Sequence, residues 1–107
     1  MEFKIIFPSG YSVLNIDNDN IDVNVVLPNG EVYFGTLFTI ANIQCLMDKE
    51  GEHYFWATDM IVVKDLSEEM IYKAIKELIN SDYLFQALTK IGSIETVNQG
   101  SKTYNCL

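Results

Sequence analysis

Residues 21–38 read IDVNVVLPNGEVYFGTLF, two alternating apolar runs on either side of Pro28-Asn29-Gly30. Ile21, Val23, Val25 and Leu27 fall on one face of the first run, with Asp22 and Asn24 on the other. In the second run Val32, Phe34 and Phe38 share a face. A period of two is the mark of a half-buried strand. Asn-Gly between such runs favours a tight reversal, because both residues tolerate positive φ. The stretch predicts an antiparallel hairpin between residues 21–27 and 31–38, and with it a sheet.

Working outward, residues 1–7 (MEFKIIF) alternate Phe3, Ile5 and Phe7 against Glu2, Lys4 and Ile6, and Pro8-Ser9-Gly10 stops that strand. Residues 11–16 suit a short strand, and Asp17-Asn18-Asp19-Asn20 is a turn of side chains that bond their own backbone. After the hairpin, residues 39–49 (TIANIQCLMDK) carry Ile40, Ile43, Leu46 and Met47 at helical spacing; Thr36 or Thr39 can cap the start and Gly51 the end. Residues 51–66 (GEHYFWATDMIVVKDL) then read as a strand with Tyr54, Trp56, Met60 and Val62 on one face and Phe55, Ala57, Ile61 and Val63 on the other. Apolar on both faces, it is expected to be central, with Trp56 in the core.

Ser67-Glu68-Glu69 opens the clearest helix. Ser67 can accept from first-turn amides, the glutamates suit the positive helix end, and Leu66 can pack on Ile71. Ile71, Ile75, Leu78 and Ile79 make one stripe that ends near Asn80. Ser81 or Asp82 is read as the cap of a shorter helix bearing Leu84, Phe85, Leu88 and Ile91, closed by Gly92. Beyond it residues 93–107 are an edge strand, for which Thr96-Val97 is the candidate, or a loose tail. This order, without internal repeat, predicts one α+β domain over residues 1–107: a mostly antiparallel sheet with a hairpin and about three helices packed against it.

A chain of 107 residues, 49% hydrophobic, can bury a core without metal or disulfides, since folding hides roughly 60–68% of the surface at this size. No signal-peptide pattern or 18-residue apolar run is present, so a soluble, cytoplasmic protein with no membrane partner is expected. Cys45 and Cys106 have neither metal-pair nor framework spacing and are read as thiols. Fifteen acidic residues stand against seven lysines and no arginine, a net charge of -8. Phosphate backbones are repelled and the usual guanine-reading side chain is missing, which excludes nucleic acid as a partner. A basic protein partner fits, because opposite fields speed encounter.

The chemical candidates are few. His53 and Asp59, the only histidine and a carboxylate in the same stretch, would stand about 20 Å apart on a straight strand, too far for a dyad. Asp59 alone is read as structural, at a bulge or bonded to backbone or Thr58, or else facing a partner. Asp17, Asp19 and Asp22 lack the glycine and distal glutamate of a calcium loop. One histidine and two distant cysteines make no zinc set, and no phosphate-cradling glycine loop or serine elbow occurs. No cofactor, metal or catalytic residue is assigned. Six tyrosines in so short a chain suit both a core and protein contacts.

The segments VYFGTLFTIANIQCLMDK (residues 32–49) and YFWATDMIVVKDLSEEMIYKAIKELI (residues 54–79) resemble small acidic immunity proteins encoded beside contact-dependent or polymorphic bacterial toxins. The resemblance spans residues 21–91 and rests on overall pattern, with no invariant chemistry to carry over. It implies an α+β domain that binds and inhibits a cognate toxin, often over its active site. A nuclease toxin, which must present positive charge, is one such basic partner. Asp17, Asp19, Asp22, Glu50 and Glu52 are the candidate contacts for its lysines and arginines, with Tyr33 and Tyr54 as aromatic anchors. The competing readings are a structural or adaptor module for protein interaction and a small enzyme; self-association is left open.

Overall fold

The computed structural model describes residues 2–93 and, as backbone, residues 102–106. Its centre is the hairpin of β2 (Asn20–Val26) and β3 (Glu31–Thr39), paired antiparallel from Asn20↔Phe38 to Val26↔Val32. The reversal is a three-residue loop. Gly30 N–H donates to the Leu27 carbonyl at 2.9 Å and Leu27 N–H to the Glu31 carbonyl at 2.9 Å. Only Gly30 takes positive φ, at 88°, so the loop is a turn followed by a left-handed glycine, not the expected pair of left-handed residues.

β1 (Phe3–Phe7) adds antiparallel to β2, and β6 (Lys102–Cys106) to β1. The Thr96-Val97 strand expectation lies outside the described residues. The other edge of β3 is shared. β4 (Met60–Val63) runs parallel to residues 36–39, and β5 (Thr89–Ser93) runs antiparallel to residues 31–34, with a bulge at Val32/Tyr33. The order β4-β3-β2-β1-β6, with β5 on β3, together with three helices makes an α+β domain with a mixed, mostly antiparallel sheet.

One face carries the main core. Phe3, Ile5 and Phe7, then Ile21, Val23, Val25 and Leu27, then Tyr33 and Leu37 point to it from successive strands. α2 (Glu68–Asn80) closes it with Ile71 and Ile75, and α3 (Leu84–Ala87) with Leu84. Ser67 caps α2 as expected, its hydroxyl accepting from Met70 N–H at 3.2 Å. The opposite face holds the smaller cluster Ile6, Val26 and Val32. Asn24 lies on that face too, 3% exposed, and its Oδ1 accepts no hydrogen bond from the described residues.

Three expectations are overturned. Residues 11–16 form no strand: Tyr11 instead packs edge-on against Phe7 and donates its hydroxyl to the Leu66 carbonyl at 2.5 Å. The helix read through Ile91 is one turn long. Leu88 is already extended (φ -116°, ψ 161°), and β5 follows. Leu88 leaves the helical stripe and fills the space over Gly35, where an added Cβ would meet its side chain. Nor do Ser81 and Asp82 cap this turn; Tyr83 stands at its N-cap, without a side-chain bond.

The third correction concerns residues 51–66. Only Met60–Val63 is strand, and β4 is an edge strand, not a central one. Asp59 has φ 56°, a left-handed kink that an aspartate tolerates better than most side chains. Its carbonyl accepts Thr36 N–H at 3.0 Å and its carboxylate accepts the Thr89 hydroxyl at 2.7 Å. Asp59 thus fastens the starts of β4 and β5, which pair with successive stretches of β3. Trp56, placed in the core by alternation, is 74% exposed.

Candidate functional site

α1 (Ile40–Glu50) connects β3 to its parallel neighbour β4. Parallel strands require such a crossover connection. Its N-terminus is tied down by Thr39, a fully buried residue. The Thr39 hydroxyl accepts from Asn42 N–H at 3.1 Å and from Asp19 N–H at 3.2 Å, and donates to the Asp19 carbonyl at 3.3 Å. At the other end Gly51, with φ 71°, turns the chain back, and Glu52 N–H donates to the Met47 carbonyl at 3.0 Å. No α1 side chain is buried.

The returning residues 52–56 run alongside the end of α1. Phe55 anchors them, its ring edge-on to Phe38 with centroids 5.2 Å apart. Because Phe55 turns inward, Tyr54 and Trp56 turn outward, 65% and 74% exposed. Between helix and returning chain lies a hollow of about 160 Å³. Half-buried Leu46, Met47 and Phe55 form its apolar floor, and exposed Tyr54, Trp56, Glu50 and Glu52 form its rim. The ion pairs among the described residues are Lys73–Glu69 and Lys90–Glu31, so neither rim glutamate is in one. Both glutamates also stand at the negative end of the α1 dipole, which strengthens the local field.

The other predicted acidic group lies along the first half of α1, in the turn and strand start that are bonded to it from Thr39 to Cys45. Asp17 is exposed in the turn before β2. Asp19 caps that turn, its Oδ1 accepting Asn20 N–H at 2.8 Å, and Asp22 accepts the Thr36 hydroxyl at 2.8 Å. Asn20 and Asn18 fasten the turn to α1 through Asn42 Oδ1 at 2.9 Å and Cys45 Sγ at 3.5 Å. Two of its three carboxylates, those of Asp19 and Asp22, are engaged internally. A hollow of about 180 Å³ beside it is lined by Ser9, Gly10, Ser12, Asn20, Ile21 and Asp22. The structure therefore does not bring the predicted acids together: Asp17, Asp19 and Asp22 belong to the turn and strand fastened to the first half of α1, and Glu50 and Glu52 to its C-terminal end.

Tyr33 must be withdrawn as a surface anchor. It is 7% exposed, lies in the main core, and meets Phe85 edge-on at 5.3 Å. His53 is exposed, and the Asp59 carboxylate belongs to Thr89. Among the described residues no three His, Cys, Asp or Glu side chains are grouped to hold a metal ion. Likewise no described helix is long and apolar enough to cross a membrane.

The shifted acid–base groups have structural duties. Lys90 and then Asn29, by hydrogen bonds, hold the Glu31 carboxyl below its usual range, and the same pairing raises Lys90. Asp65 is held low by the Ser67 hydroxyl and then by the Ser67 amide, at 2.6 and 2.9 Å.

Trp56, Phe55, Leu46 and Met47 were not foreseen as surface-site residues. In an extended but unpaired segment side chains alternate as they do in a strand, so periodicity alone could not separate the two. No protein family matches the chain, and no curated protein or solved structure is significantly similar to it.

Proposed function

We propose that this protein is an immunity-type inhibitor, which binds a basic toxin domain and masks its active surface. The observation that carries the reading is the rim of the α1 hollow: Tyr54 and Trp56 exposed beside Glu50 and Glu52, on a chain of net charge -8. Exposed aromatic side chains supply the anchors of a protein interface, and carboxylates beside them supply a polar rim that meets lysine and arginine. Inhibition then works by excluding the toxin's substrate, and the chemistry resides in the toxin. A nuclease is the partner class whose positive surface fits best.

The test is binding of the purified chain to the product of the adjacent gene, with survival of cells that express that product. Tight 1:1 binding, protection, and association that slows as salt rises are expected, since steering between opposite fields is screened. An adaptor that binds a basic protein without neutralising it would use the same surface; binding without protection would favour that second reading. Absence of binding by a correctly folded partner would remove the inhibitor reading.

A further inference from the structure

We infer that the hollow at the end of α1 is a receptor for one arginine side chain of a basic protein partner, its guanidinium laid on the Trp56 indole and paired with Glu50 and Glu52. The inference takes its partner class from the inhibitor reading, but not the partner's identity.

The hollow differs from a general acidic patch in having a built floor. Phe55 is pinned on Phe38, and Leu46 and Met47 flank it from α1, so an incoming aliphatic stem finds apolar contact below the rim. Above that floor stand two exposed π-faces, Tyr54 and Trp56, and two carboxylates outside any described ion pair. A planar, weakly hydrated guanidinium satisfies both at once. It stacks on an aromatic ring and donates to carboxylates in its own plane, whereas an ammonium is a strongly hydrated point charge that does neither as well. A phosphate or carboxylate guest is excluded by Glu50, Glu52 and the helix end.

The guest must also come from outside. The seven Lys and Arg positions of the sequence are all lysine, so these 107 residues, in this copy or a second, supply no guanidinium. The placement of the glutamates points the same way. Negative charge at a helix C-terminus opposes the dipole, so Glu50 and Glu52 do nothing for α1 itself. Their counterparts beside the first half of α1, Asp19 and Asp22, are engaged in hydrogen bonds that hold the fold.

A hexa-arginine peptide serves as probe, titrated into the full chain at low salt. Trp56 is the only tryptophan, so its fluorescence and indole N–H resonance report directly on the rim. Saturable shifts are expected at the indole and at the amides of residues 46–56. Hexalysine should bind about fivefold more weakly, as should hexa-arginine to Trp56→Leu or Tyr54→Leu, the size of one exposed cation–π contact. Glu50→Gln with Glu52→Gln should weaken the peptide and flatten its salt dependence. Asp17→Asn, Asp19→Asn and Asp22→Asn together should weaken hexa-arginine less than the Glu50/Glu52 pair does at about 0.15 M salt, where the Debye length of about 8 Å confines each charge to its own neighbourhood. Denaturant midpoints no lower than that of the unaltered chain confirm that the rim variants fold.

Equal binding of the two peptides, shifts confined to residues 17–22, or full affinity in both aromatic variants would overturn the arginine site. If the adjacent gene product binds Trp56→Leu as tightly as the unaltered chain, the arginine site fails and the inhibitor reading stands. Peptide binding at Trp56 without any binding of that product gives the reverse.

Discussion

α1 and α2 are of similar length and both begin on a hydroxyl cap, yet they are held in opposite ways. α2 drives Ile71 and Ile75 into the core, packs Leu78 and Ile79 beside them, and carries Glu68 and Glu69 at the end where negative charge is favourable. α1 buries no side chain. It has no acid in its first turn, and Glu50 stands at its last. Its anchorage is polar and concentrated at one end, where Thr39, Asp19, Asn20 and Asn18 meet its first half. A helix held by packing is committed along its length. One held at its N-terminus leaves its other end free to serve as surface, and that is where the aromatic hollow lies.

The contrast breaks if the two helices respond alike to truncation. Ile75, fully buried, should lose about 2–5 kcal/mol of stability on replacement by alanine, through lost transfer energy and the cavity left behind. Met47→Ala, at a half-buried position in α1, should lose under about 1 kcal/mol. Denaturant midpoints measure both. A Met47 variant as damaged as the Ile75 variant would show that α1 contributes packing that its exposure conceals.

The second test sharpens the comparison at the caps. Thr39→Ala deletes a hydroxyl that accepts from two amides and donates to a carbonyl in a fully buried position. Its cost should be about 2 kcal/mol, against about 1 kcal/mol for the half-buried Ser67→Ala. The pattern matters as much as the size. In Thr39→Ala, amide hydrogen exchange should quicken across residues 40–50 while α2 stays protected, because α1 has little else to hold it.

These expectations also show which parts of the fold were legible in the sequence. The hairpin, β1, α1 and α2 were readable because each signal is local: alternation, a glycine at a reversal, a hydroxyl before a helix. Asp59 and Leu88 were not, because each answers to residues far along the chain. The Asp59 kink is satisfied by Thr36 and Thr89, and Leu88 is drawn out of a helical stripe to cover Gly35. The same limit hid the site. Tyr54 and Glu50 with Glu52 were singled out from type and turn position, but only the inward turn of Phe55 onto Phe38 decides that Trp56 faces out. Tyr33 and Tyr54 look alike as residues, and only tertiary packing puts one in the core and the other on the rim.

A smaller effect is expected in acid. The α2 cap depends on Asp65, whose carboxylate takes both the hydroxyl and the amide of Ser67 and is held below its usual range by them. A carboxyl lowered on folding stabilises the native state above its unfolded value, near pH 4, and that contribution disappears as pH falls through the folded value. Asp65→Asn should therefore be less stable than the unaltered chain at neutral pH, and the gap should narrow below about pH 4. Thermal melts at a series of pH values test this, and a gap that is constant with pH would mean that the carboxylate charge is irrelevant to the cap.

The smallest effect has the opposite sign. Replacing Glu50 and Glu52 by glutamine removes two negative charges from the C-terminal end of α1, where they oppose the helix dipole, and eases repulsion in a chain of net charge -8. Neither residue is in a described ion pair, so little favourable is lost with them. The double variant should melt about 1–3 °C higher than the unaltered protein at low ionic strength, with the gain fading in salt. Glu68→Gln with Glu69→Gln, at the favourable end of α2, should melt lower. If both pairs lower the melting temperature, then Glu50 and Glu52 support the fold and the case for them as surface set aside for a partner weakens. If only the α2 pair does, the rim glutamates are a stability cost that binding must explain.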